Sequence, residues 1–222
     1  MSSFEVHGWR WHNLSVLHGY RRLSKLCDDA AVKGPEGSAD RVENIRETAK
    51  YLVEFNHRTL VEIENKVFKP WLDTTLPPSS SATIRHCWSL KSGLDSIRSA
   101  CSETLPSLSY ETLPALSSLC DAASSCLLEA VRVQDSSVVP LIVAGSTRRQ
   151  QKRLNSRILR SLGISDARMH LAAMWDVVRG TKEEEVWEEK IPAVARRMVR
   201  GWRGYGERAG MIADIRPDEV NI

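Results

Sequence analysis

Apolar residues recur at three- and four-residue intervals over most of the chain, the period of a helix with one buried side. Four long segments carry this pattern. The first runs from about Trp9 to Val32 and meets the breakers Lys33-Gly34-Pro35-Glu36-Gly37-Ser38. The second opens near Asp40, whose carboxylate can cap it with Glu43 three residues on, and runs to about Phe68, ahead of Pro70. A Leu76-Pro77-Pro78-Ser79-Ser80-Ser81 connection follows. The third covers about Ala82–Glu103 and stops before Pro106, and the fourth runs from about Thr112 to Ser137, where Pro140 is expected to break it. After Gly145-Ser146-Thr147 come shorter helical patterns at Arg148–Leu162, ended by Gly163, and Ser165–Val178, ended by Gly180. A last one is opened by a Thr181/Glu184 capping box and turns basic towards Arg200, before a glycine-rich tail from Gly201 that is expected to be irregular. The expected class is all-α: an up-down four-helix bundle over residues 1–145, then two or three accessory helices over 146–222.

The four long segments read as one helical hairpin written twice. In the first helix of each copy His12 matches His86, Ser15 matches Ser89, Gly19 matches Gly93 and Cys27 matches Cys101. In the second, Phe68-Lys69-Pro70-Trp71-Leu72 matches Val138-Val139-Pro140-Leu141-Ile142. The offset changes from 74 to 70 residues, as a shorter connection in the second copy would produce.

Composition narrows the function classes. The chain has 222 residues, 42% hydrophobic and 27% charged, with a formal charge of +3, which is ordinary globular usage rather than that of a polyanion binder as a whole. Its longest apolar stretch, Val138–Ala144, contains Pro140 and is far too short to span a bilayer. Cys27, Cys87, Cys101, Cys120 and Cys126 form no CxxC pair and read as small buried hydrophobes in a reducing compartment. The first residues lack a signal-peptide apolar region, so an intracellular protein is expected, cytoplasmic by default or organellar. No nucleophile elbow, P-loop, dinucleotide glycine pattern or zinc-protease motif occurs, so binding rather than turnover is expected.

Helix faces single out a candidate site. At about 100° per residue, His12 lies within the stripe Val16, Tyr20, Leu23, Cys27, Ala30, and His86 lies on the stripe Leu90, Leu94, Ile97, Cys101. His57 and Glu64 share one edge of the second helix's apolar face, whereas Glu62 points elsewhere. Leu127 and Gln134 hold the corresponding positions of the fourth helix. His7, His18 and His170 read as surface or packing histidines. Inward imidazole and carboxylate groups on different helices are how bundles hold iron, manganese or zinc.

The segment His57-Arg58-Thr59-Leu60-Val61-Glu62-Ile63-Glu64-Asn65-Lys66-Val67-Phe68-Lys69-Pro70-Trp71-Leu72 resembles the second helix of hemerythrin-like (HHE cation-binding) domains. The resemblance implies an antiparallel four-helix bundle with a non-haem iron centre, mononuclear or dinuclear, used for binding or sensing oxygen or another ligand. On it, the metal ligands are His12, His57, Glu64 and His86. The chain departs from the family in having no histidine on the fourth helix and no four-residue His-to-acid spacing on the second. The alternative is a metal-free helical interaction or assembly subunit that keeps the bundle without its centre.

The C-terminal part adds charge. Arg148, Arg149, Lys152, Arg153, Arg157 and Arg160 place six cations in thirteen residues, and Arg196, Arg197, Arg200 and Arg203 form a second group near Trp202 and Tyr205. The acidic run Glu183, Glu184, Glu185, Glu188, Glu189 between them can neutralise one group. A solvated helix face or an acidic partner protein is the expected use of these helices, ahead of nucleic acid or a membrane surface.

Overall fold

The computed structural model describes residues 4–35, 38–162 and 164–199. Among them every regular element is helical. Helix α1 is His7–Lys33 and closes on Gly34, whose positive φ of 79° turns the chain while its amide bonds the Ala31 carbonyl at 3.3 Å. The second rod, α2 (residues 38–75), is continuous but changes winding: Ser38–Lys50 is α, Tyr51–His57 π, Arg58–Ile63 α, Glu64–Phe68 π and Lys69–Thr75 α. It starts ahead of Asp40, and Glu43 pairs with Arg46 instead of closing a capping box. Helix α3 is Ser81–Thr104, and α4 (residues 113–145) repeats the change of winding as Leu113–Val133 α, Gln134–Val138 π and Val139–Gly145 α. Helices α5 (Arg148–Ser161), α6 (Ile164–Val178) and α7 (Glu183–Lys190) follow, and residues 193–199 are again helical.

Neither Pro70 nor Pro140 ends its helix, contrary to the sequence expectation. Each sits at the start of an α segment directly after a five-residue π segment. A proline inside a regular helix lacks the N–H for the bond four residues back and clashes with that carbonyl. The wider π turn shifts the hydrogen-bond register just ahead of each ring, so the rod continues for another turn and a half.

Helix α1 is the axis of the molecule, packing along α2, α4 and α6, while α3 lies against α4. The core between them is filled by Tyr20, Leu23, Leu52, Leu60, Phe68, Leu94, Leu116 and Leu127, all buried. Cys27, Cys87, Cys101 and Cys120 are buried with them as free thiols, and Cys126 is half-buried. The accessory helices are fastened to the N-terminal segment by side chains. Gln151 Oε1 accepts from the Glu5 amide at 3.0 Å and Asn155 Oδ1 from the Gly8 amide at 2.7 Å. The Glu5 carboxylate bridges Arg148 at 2.5 Å and Lys190 at 2.9 Å. Gly163, Arg200, Trp202, Arg203, Tyr205 and the tail from Gly201 lie outside the described residues, as do Glu36 and Gly37 of the first connection.

Candidate functional site: a buried ion pair at the centre of four helices

Four helices each send one polar side chain to a common point. Glu64 of α2 is 4% exposed, Lys91 of α3 9%, Asn13 of α1 0% and Gln134 of α4 2%. The Lys91 ammonium donates to Glu64 Oε1 and to Asn13 Oδ1, both at 2.5 Å. The Trp9 indole N–H adds a second donor to Glu64 Oε1 at 2.8 Å, and Gln134 Nε2 reaches Asn13 Oδ1 at 3.4 Å. The Asn13 amide is turned by its own bond to the Trp9 carbonyl at 2.9 Å. Glu64 and Gln134 are the first residues of their π segments. The changed winding therefore begins where each side chain must face inward.

The physics of this cluster is that of a desolvated ion pair. Removing both charges from water costs several kcal/mol each, and their attraction offsets this only when the remaining polar atoms are satisfied. Trp9, Asn13 and Gln134 supply those bonds. Trp9 stacks on Phe68 with ring centroids 4.1 Å apart, and the buried Leu60, Leu94 and Leu127 stand beside the pair. A cavity of about 210 Å³ opens beside the pair, lined by Glu64, Lys91, His57, Trp88 and Lys69 among others.

The buried histidines are held by neutral partners. His57 Nδ1 bonds the Tyr20 hydroxyl at 2.8 Å. His12 Nε2 lies 3.0 Å from Asn56 Oδ1 and 3.2 Å from the Asn56 carbonyl, and His170 Nδ1 lies 3.2 Å from that same Oδ1. Both acceptors are carbonyl oxygens, so His12 Nε2 and His170 Nδ1 carry the hydrogens. His170 also stacks on Phe55 at 4.4 Å. Burial pushes all three imidazoles well down: His12 to about 4, His57 to about 3, with Arg98 and Lys91 adding to the shift, and His170 to about 2.

Of the ligands expected from sequence, His12, His57 and Glu64 are buried as foreseen, but each is engaged elsewhere, with Asn56, Tyr20 and the Trp9–Lys91 donors respectively. His86 is exposed, which corrects the expectation that it points inward. The buried residues of α3 are Cys87, Lys91, Leu94 and Cys101, so the expected stripe keeps Leu94 and Cys101 but Cys87 and Lys91 stand inside in place of His86 and Leu90. Following the uncharged residues alone and passing over Lys91 rotates the apparent face by about 55° and brings His86 in with it. Among the described residues, no group of three or more His, Cys, Asp or Glu side chains is placed to hold a metal ion. The donor set around Glu64 does not suit iron either, because its accepting oxygen is already held by an ammonium ion that would repel a second cation.

Comparison with protein-family models, with curated proteins and with solved structures gives no match.

Sequence reasoning missed Asn13, Lys91 and Asn56, and it read His170 as a bland packing residue. Lys91 carried a usable signal, since it is the one charged residue in an otherwise apolar i, i+4, i+7 series with Cys87 and Leu94. Asn56 carried none, because its role depends on histidines of two other helices.

The charged C-terminal helices separate into two kinds. The acidic residues of α7 and its flank are used locally or on α1: Glu183 pairs with Arg10 at 2.8 Å and accepts from Trp11 at 3.0 Å, Glu188 pairs with Arg196 at 3.8 Å and Glu189 with Lys190 at 2.8 Å. The basic face of α5 receives none of them. Among the described residues no helix is long and apolar enough to cross a membrane.

Proposed function

We propose that the chain is a metal-free helical interaction subunit, a divergent hemerythrin-like four-helix bundle built from a duplicated hairpin, whose centre is closed by an internal ion pair. The observation that carries this reading is the Lys91 ammonium, 2.5 Å from Glu64 Oε1 where the resemblance would put iron. Tyr20 on His57 and Asn56 on His12 support it in that each buried imidazole is anchored by a neighbouring side chain within the protein, His12 Nδ1 being left without a partner among the described residues. Duplication is supported by the matched ends of α2 and α4, each a five-residue π segment followed by a seven-residue α segment with proline in its first turn. A chain that keeps the bundle, replaces its chemistry by packing and adds charged helices is suited to holding a protein partner. Turnover has no support in this arrangement.

Elemental analysis of chelator-free protein tests the reading, with His57→Ala as the control. The expected result is far less than one equivalent of any transition metal, unchanged in the variant. One or two equivalents of iron, lost in His57→Ala, would overturn it and restore the metal-binding reading.

A further inference from the structure

We infer that the outward face of α5 is a groove for an acidic α-helix of a partner protein, an inference that rests on the interaction-subunit reading. Helix α5 turns Gln151, Leu154, Asn155 and Ile158 inward. On its outer side Arg149, Lys152, Arg153, Arg157 and Arg160 are exposed. At 100° per residue the two sets are centred on opposite sides of the rod. The Thr147–Gln150 capping box fixes its start, and Arg148 is taken by Glu5. Among the described residues no carboxylate pairs with the other five cations. Like charges one turn apart destabilise a helix by a few tenths of a kcal/mol per pair. The stability of α5 therefore gives no account of this face.

Its shape indicates what fits. Arg149, Arg153 and Arg157 form one row at four-residue spacing, and Lys152, Ser156 and Arg160 form a second. The rows border an open trough of about 670 Å³ lined by these side chains and Arg148. Rows at four-residue spacing are the ridges between which a second helix seats its own ridge. A partner helix with Glu or Asp at the same spacing brings a carboxylate to each guanidinium, and arginine holds a carboxylate through two parallel bonds. No aromatic ring lines the trough, so a single-stranded nucleic acid finds nothing to stack on. The apolar side of α5 is packed on the protein and is not available to enter a bilayer.

The test is fluorescence anisotropy of the full chain with a labelled alanine-based helical peptide carrying Glu at positions i, i+4, i+8 and i+11. Binding at 50 mM salt is expected to weaken at least tenfold at 300 mM and at least tenfold in the Arg153→Glu/Arg157→Glu variant, whose thermal midpoint stays within about 2 °C of the parent. A proline-interrupted peptide of equal charge that binds as well overturns the helical groove. So does tighter binding of a 16-base-pair duplex or of vesicles containing phosphatidylserine, and so does no binding at all. Metal content of the same preparation separates the two readings. Peptide failure with metal-free protein removes the groove and leaves the subunit reading, whereas iron with peptide binding removes the subunit reading and leaves the groove.

Discussion

Lys91 is the residue on which the interior turns. A lysine 9% exposed at the meeting point of four helices needs compensation: Glu64 and Asn13 accept from its ammonium at 2.5 Å, and Trp9 and Gln134 donate in turn to Glu64 and Asn13 at 2.8 and 3.4 Å. Removing one partner strands the other as an uncompensated buried charge, so Lys91→Met is expected to lower stability by about 3–5 kcal/mol. Replacing both charges is cheaper: Lys91→Met/Glu64→Leu should recover at least half of that loss, because no ion then remains to be desolvated. Urea unfolding of the two single variants and the double variant measures this. A double variant as unstable as the sum of the singles would show that the pair is not coupled. The sequence stated the residue types but not this arrangement. His57, Glu64 and Gln134 were read correctly as inward, since each lies beside aliphatic residues on a well-defined face. His86 was placed inward and Lys91 was passed over, because a buried charge becomes plausible only once a partner on another helix is known.

At the scale of the element, the π segments make the two long rods what they are. They begin at Glu64 and Gln134, turn these side chains into the cluster and let the helices run through Pro70 and Pro140. Helix existence and order were legible from periodicity, but both proline-bearing helices were expected to end several residues early. Proline was read as a stop because a regular α-turn was assumed ahead of it. Gly19 and Gly93, which the proposed duplication would match, differ in packing. A Cβ on Gly19 would come 2.5 Å from a Leu52 methyl of α2, whereas one on Gly93 would meet nothing within 4 Å. Gly93→Ala is therefore expected to stabilise the protein by about 0.5–1 kcal/mol through helix propensity alone. Gly19→Ala should destabilise it by about 1–3 kcal/mol by forcing buried Leu52 aside. Thermal or urea unfolding decides the pair, and equal signs for the two would contradict the packing described.

At the scale of the whole molecule, the accessory helices are part of the same core. His170 of α6 shares the Asn56 amide of α2 with His12 of α1, so three elements are joined through one oxygen. These imidazoles are neutral in the folded chain, with values near 4 for His12, 3 for His57 and 2 for His170, against about 6.5 when unfolded. A group whose folded value is depressed lets the unfolded chain bind the proton first. The stabilisation is thus complete above about pH 6.5 and is lost as the pH falls towards the folded values. At pH 5 each of the three is expected to cost roughly 2 kcal/mol. Glu183 is held near 2 chiefly by the neighbouring His7 imidazole, whose Nδ1 lies 3.5 Å away, then by Trp11 and Arg10, and adds losses only below about pH 4.5. Urea midpoints at pH 7, 6 and 5 should accordingly fall in sequence, and a flat profile over that interval would mean that the histidines are not buried neutral.

The sequence by itself determined the all-helical class and the order of the four long helices, the inward placement of His12, His57 and Glu64, and the all-basic character of α5. These follow from periodicity and local charge, which act over one or two turns. Only the tertiary structure decided that Lys91 is inside and His86 outside, that Tyr20 and Asn56 take the histidines, and that the α7 acids turn to Arg10, Arg196 and Lys190 rather than to α5. A buried polar group is stable only with partners, and here those partners stand on other helices, 27 residues away for Lys91 and Glu64 and 114 for Asn56 and His170. Spacing along one helix carries no record of them.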